Sequence, residues 1–109
     1  MTRKALGEFE HFVLLALVRL QAPSPTAAVV LELESATGRE VAPAAVFIAL
    51  RRLEQRGYAR SSKREPRPGE GGRGRRAFQV TATGKARLAE SRRMLERLWA
   101  TPGTPVRTT

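Results

Sequence analysis

The chain has 109 residues, 41% of them hydrophobic, which suits one compact domain and is too little for two. Twenty Lys and Arg oppose ten acidic residues, a formal charge of +10 that favours a polyanionic partner, nucleic acid or an anionic membrane surface. With no Cys, no Asp and a single His, His11, the chain lacks the parts of a disulfide scaffold, a thiolate zinc site, a Ser-His-Asp triad, an EF-hand loop or a two-His metal site. It also has no glycine-rich phosphate loop, so neither catalysis nor a cofactor is expected.

Residues 1–7 carry no periodicity and are expected to fray. Glu8–Leu20 reads as a helix, with Phe9, Phe12, Val13, Ala16, Leu17 and Leu20 on the 3.6-residue period. Leu14, Leu15 and Val18 widen the stripe until little polar face remains, and such a helix needs cover from more than one neighbour. In so short a chain a second copy is a natural source of that cover. The apolar run Phe12–Leu20 is interrupted by Arg19 and falls well short of the roughly 20 residues that span a bilayer; no membrane segment or targeting signal is expected, and a soluble cytoplasmic protein is the default.

Gln21–Pro25 breaks that helix. Ser24 as N-cap and Pro25 at the first helical position predict a second helix to about Thr37, with Val29, Val30, Leu33 and Ala36 inward and Gly38 as its left-handed stop. A third helix is predicted from Pro43 to just before Gly57. Val46, Leu50 and Leu53 form its buried stripe beside Ala49, and Ala44, Ala45, Phe47, Ile48, Arg51, Arg52 and Gln55 take the other side.

Tyr58–Arg64 and Arg76–Val80 read as two short strands joined by Glu65–Gly74, whose Pro and Gly content is that of a flexible hairpin tip. Thr81 can cap a last helix reaching about Trp99, although Gly84 weakens its first turn. Leu88, Leu95, Leu98 and Trp99 line one side of it, and Arg87, Arg92, Arg93 and Arg97 lie elsewhere. Pro102, Gly103 and Pro105 predict a disordered tail over 101–109. The expected division is 1–81 for the three helices and the hairpin, 82–100 for the C-terminal helix, then the tail over 101–109.

The charge is concentrated. Residues 51–76 hold ten basic groups against three acidic ones, a net of +7, whereas residues 1–50 have a net of −1. Three helices, a basic hairpin and a long helix make the fold class mainly α with a small β-hairpin, a winged helix-turn-helix plus a C-terminal helix. A helix 10–12 Å across fits the major groove of B-DNA, and a hairpin beside it can lay Arg and Lys along phosphates or into the minor groove. The basic block covers the parts that such a fold sets against DNA. Two other readings stay open: a protein-interaction module with incidental charge, and a non-specific nucleic-acid-binding protein.

Three segments resemble the PadR family of bacterial transcriptional regulators. LGEFEHFVLLALVRL (Leu6–Leu20) is similar to the family's opening helix, and VAPAAVFIALRRLEQRGY (Val41–Tyr58) to its recognition helix. GGRGRRAFQVTATGKARL (Gly71–Leu88) is similar to its wing and the start of its last helix. The length resembles members with a single C-terminal dimerisation helix, which implies 1–81 as the DNA-binding domain and 82–100 as the dimerisation helix. The resemblance implies a homodimer on a pseudo-palindromic double-stranded DNA operator, usually a repressor released by a small molecule, with the C-terminal helix packed on the partner's N-terminal helix. The sequence departs from the family pattern where Phe47 stands for a usual Tyr, Ala42 for a frequent Ser or Thr, and Pro25-Thr26 for Tyr-Gly.

The DNA-binding candidates are Ala44, Phe47, Arg51 and Arg52 on the third helix and Lys63, Arg64, Arg67, Arg73, Arg75 and Arg76 on the hairpin. Arg51 and Arg52 can pair with guanine or phosphate, or merely solvate the helix. Phe47 either meets a thymine methyl or closes the core. Phe9, Phe12, Leu15, Leu88, Leu95, Leu98 and Trp99 are the dimer-interface candidates. Leu95 and Trp99 either line a pocket for a small aromatic effector or simply pack at the interface. His11 is read as an interface or surface histidine.

Overall fold

The computed structural model describes residues 5–65, 68–69, 76–100 and 102. Helix α1 (Glu8–Leu20) begins with Glu8 and Glu10 in its first turn and Arg19 in its last, each sign matched to the helix dipole. Val13, Leu14, Ala16 and Leu17 are its buried face. It ends on Gln21 in the left-handed region (φ 59°), whose N–H reaches the Leu17 carbonyl.

Helix α2 (Thr26–Thr37) starts one residue later than the sequence predicts. Pro25 is the N-cap, and Ser24 is drawn away from capping. The backbone of Ser24 forms a two-bond bridge with Phe78, N–H to carbonyl at 2.9 Å and 2.7 Å, and its hydroxyl donates to the Ala22 carbonyl. Tertiary strand pairing has thus overridden a local capping preference. Gly38 closes the helix at φ 71°, as its position predicts. Val29, Val30 and Leu33 are buried; Ala36, expected inward, is exposed on the last turn.

Helix α3 (Pro43–Gln55) has Pro at its first position and buries Val46, Ala49, Leu50 and Leu53. Its end is a Schellman motif: Tyr58 N–H donates to the Leu53 carbonyl and Gly57 N–H to that of Glu54, with Gly57 at φ 80°. Strands β1 (Ala59–Lys63) and β2 (Arg76–Val80) pair antiparallel, Ser61 opposite Phe78 and Lys63 opposite Arg76. Ser24 extends this hairpin by a single bridge on the far side of β2, so the wing is fastened to the α1–α2 turn.

Helix α4 (Ala82–Trp99) is capped by Thr81, whose Oγ1 accepts from the Gly84 N–H and donates to the Gly57 carbonyl at 2.7 Å. Gly84 is buried against the Tyr58 carbonyl, where a Cβ would collide with backbone. The glycine that weakens the helix by propensity is therefore what lets α4 pass this close to the hairpin root.

One apolar core joins α1, α2, α3 and the hairpin, with the fully buried Phe78 at its centre. Removing a ring so enclosed costs on the order of 3–5 kcal/mol in comparable cores. Helix α4 joins the core only through its first half. Gly84, Arg87, Leu88 and Ser91 are buried, whereas beyond Ser91 Met94, Leu95, Leu98 and Trp99 are exposed.

Candidate nucleic-acid interface

The outer side of α3 presents Ala44, Ala45, Ile48, Arg52 and Gln55 to solvent. Arg51 sits on the shoulder nearest the hairpin. Its Nη1 donates to Glu54 Oε1 at 2.9 Å, an i,i+3 pair with both side chains partly exposed. The other carboxylate oxygen, Oε2, accepts from Ser61 Oγ on β1 at 2.5 Å, and Ser61 Oγ accepts in turn from Arg76 Nη1 on β2 at 3.0 Å. Arg51 and Arg76 are thus joined through Glu54 and Ser61, and the α3 shoulder and the base of the wing form one face.

The remaining sequence candidates divide. Lys63 and Arg52 are exposed cations on that part of the molecule, and Ala44 is an exposed small residue on the first turn of α3. Arg64 is half-buried, its Nη1 donating to the Glu65 carbonyl. Arg67, Arg73 and Arg75 lie outside the described residues. Phe47 is half-buried and packs against the core, its ring edge-on to Phe78 with centroids 6.3 Å apart at 80°. Of its two readings, the structure favours closure of the core over presentation to a groove.

Arg56, though part of the basic block, is tied into the fold. It stacks over the Tyr58 ring at 5.1 Å and donates to Glu10 Oε2 and the Ala5 carbonyl, both at 3.4 Å, joining the end of α3 to α1. Sequence reasoning did not single out Glu54 or Ser61. The Arg51-x-x-Glu54 spacing marks the first contact on a helix, but nothing local marks the second, which depends on where β1 runs.

The second feature is a groove of about 970 Å³ between α1 and α4, lined by Phe12, Leu15, Leu95 and Trp99 among others. Phe9, Phe12, Leu15, Leu95, Leu98 and Trp99 are all substantially exposed in the protomer, Leu98 and Trp99 each to 81%. Leu88 differs, being buried in the protomer's own core with little side chain left for a partner.

Arg87, which the sequence sets off the apolar side of the last helix, is 95% buried. It lines the same groove, with Nη1 donating to Ser91 Oγ at 3.0 Å and Nε without an acceptor among the described residues. Burial together with the nearby Arg87 charge lowers the pKa of His11, which favours the neutral imidazole. Among the described residues no cluster of His, Cys, Asp or Glu could hold a metal ion, and no helix is long and apolar enough to cross a membrane.

Three helices, an antiparallel hairpin fastened beside the third, and a cationic shoulder shared by both define a winged helix. A family model confirms and narrows this class: residues 14–90 match the transcriptional regulator PadR-like family, and the chain belongs to that family, one of regulators and not of enzymes. A search of curated proteins gave no match.

Among solved structures, the chain is similar to a PadR family transcriptional regulator from Eggerthella lenta DSM 2243 (24% identity, 84% of this chain and 79% of that one, TM-score 0.62). It is also similar to F93 from STIV, a winged-helix DNA-binding protein (12% identity, 89% and 97% coverage, TM-score 0.67). A third neighbour is BpsR from Bordetella bronchiseptica (21% identity, 93% and 68% coverage, TM-score 0.64). At these identities the likeness is one of fold.

Proposed function

We propose that the protein is a homodimeric, sequence-specific DNA-binding repressor whose grip on a pseudo-palindromic operator is relieved by a small molecule. The observation that carries the DNA-binding part is the single cationic face made by the α3 shoulder and the wing, with Arg51 and Arg76 linked through Glu54 and Ser61. Few side chains on the outer side of α3 can read bases by hydrogen bonds, so the wing and the phosphates carry much of the affinity. F93, a fold neighbour, is a DNA-binding protein, which supports the class of partner. A cytoplasmic setting follows from this role.

The dimer part rests on the exposed strip formed by Phe12, Leu15, Leu95, Leu98 and Trp99, with Phe9 exposed on α1 outside the groove. So many large apolar groups along one groove are rarely left in water by a soluble protomer. In this reading residues 1–81 bind DNA and residues 82–100 pair the protomers, holding two α3 helices about 34 Å apart, one turn of DNA. The effector part rests on the same groove, where Leu95 and Trp99 meet, and on BpsR, whose DNA binding is regulated by 6-hydroxynicotinic acid.

The test is a titration of duplex DNA at several salt concentrations, with molecular mass measured by light scattering. A dimer whose affinity falls steeply with salt, and which prefers sequences selected from a random library over unselected duplex, is the expected result. A monomer, or no retention of duplex at moderate salt, would overturn it. A selected-to-unselected ratio near one would favour the non-specific reading.

A further inference from the structure

We propose that Glu54 is the positioning residue that sets sequence preference on the DNA-binding face, by holding Arg51 and the wing in one arrangement. This rests on the DNA-binding reading above and goes beyond it by assigning preference to a residue that is itself an anion.

A carboxylate on a surface that meets phosphates weakens association through like-charge repulsion. Glu54 nonetheless sits at the junction of α3 and the wing, half-buried, with both oxygens engaged. Oε1 accepts from Arg51 Nη1 at 2.9 Å and Oε2 from Ser61 Oγ at 2.5 Å. Because Ser61 Oγ also accepts from Arg76 Nη1, three hydrogen bonds run unbroken through α3, β1 and β2.

Two consequences follow. The first is directional. A guanidinium reads a base only when its planar fork is aimed, and here one edge of the Arg51 fork is held before DNA arrives. The same carboxylate also holds the wing through Ser61, so the group that aims Arg51 bears on the angle between wing and α3, alongside the Ser24 bridge. The second is electrostatic. A cation already paired gains less from a phosphate at an arbitrary position, so Glu54 penalises indiscriminate backbone binding. Glu54 therefore lowers affinity for random DNA and raises the ratio between a fitting site and a random one.

The experiment measures affinity for two probes at one salt concentration: the duplex that the wild-type chain enriches from a random-sequence library, and an unselected duplex of equal length. Glu54→Ala is expected to bind the unselected duplex about 3-fold more tightly and to lose about 10-fold in the ratio of selected to unselected affinity. Glu54→Gln drops the charge but can keep the link: its Oε1 accepts from Arg51, and its Nε2 donates to Ser61 Oγ in place of the bond that the carboxylate accepted. It should match Glu54→Ala on the unselected duplex and hold the ratio within about 3-fold of wild type. Ser61→Ala cuts only the wing limb, and should lower the ratio without tightening unselected binding.

An unchanged ratio in both Glu54→Ala and Ser61→Ala would overturn the proposal. A Glu54→Gln ratio as low as that of Glu54→Ala would do the same. Should Glu54→Ala fold poorly by circular dichroism, Glu54→Gln and Ser61→Ala decide the matter. Failure of the DNA-binding reading itself is distinguishable, because the wild-type chain would then enrich no sequence.

Discussion

Gly84 lies directly against the backbone carbonyl of Tyr58, so the first turn of α4 touches the root of the hairpin with no side chain between. Tyr58 follows the α3 terminus, and its carbonyl also accepts the Thr81 N–H at 3.0 Å. The end of α3, the start of the wing and the start of the last helix are thereby pinned at one point. Glycine is required here for close approach and not for an unusual backbone angle.

Gly84→Ala is expected to destabilise the protein by about 1–3 kcal/mol, because the added methyl meets backbone that cannot rotate away. For a domain of this size that lowers Tm by several degrees per kcal/mol. Thermal unfolding followed by circular dichroism measures it. Since alanine is the better helix former, a rise in Tm would show that the close approach is absent.

The basic block should separate into two kinds of arginine. Arg52→Ala, at an exposed position beside the proposed DNA face, should reduce the slope of log affinity against log salt by about 1 and leave Tm nearly unchanged. Arg56→Ala should do the reverse, since its guanidinium stacks on Tyr58 and binds Glu10. Loss of those contacts should lower Tm by a few degrees and leave the salt slope in place. Equal effects of the two variants on the slope would contradict the division.

Replacing the far end of α4 should unpair the protomers of the proposed dimer without unfolding them. Leu98 and Trp99 are each 81% exposed, so Leu98→Glu with Trp99→Ala removes little from the protomer's own core. Sedimentation should show a shift from dimer to monomer, with operator affinity falling by at least 10-fold as the two half-sites lose their linkage. A dimer mass unchanged in the variant would rule out this contact as the proposed interface.

Stability should fall as pH drops through and below the ordinary histidine range. The His11 pKa is lowered in the folded state, first by burial and then by Arg87, relative to 6.5 in the unfolded chain. Below 6.5 the unfolded chain therefore binds more protons than the folded one. Stability is full above that pH and declines as pH falls toward the depressed folded value. Urea midpoints between pH 5 and 8 should show this slope, and His11→Gln should flatten it. An unaltered pH profile in the variant would assign the slope to other groups.

Period and punctuation made the architecture legible. The buried stripe Val46, Ala49, Leu50 and Leu53, the Gly38 stop, the Thr81 cap and the β2 limits Arg76–Val80 all follow from local chemistry, and all are observed. The charge block and the family resemblance indicated the class of face. Less legible was the fate of each candidate on it. Phe47 resolved toward the core once Phe78 stood beside it, and Ser24 gave up a cap for a strand bridge.

Composition and spacing by themselves determined the number and order of helices, the hairpin, and the concentration of positive charge between residues 51 and 76, because each is encoded within a few turns of chain. Only the tertiary structure decided what three similar arginines do. Arg51 is held by Glu54, Arg56 is stacked on Tyr58, and Arg87 is buried against Ser91. The reason is physical: a guanidinium's role is set by the acceptors and the solvent around it. For Arg56, two of these, Glu10 and the Ala5 carbonyl, come from a distant part of the chain and meet it only when α1 packs on α3.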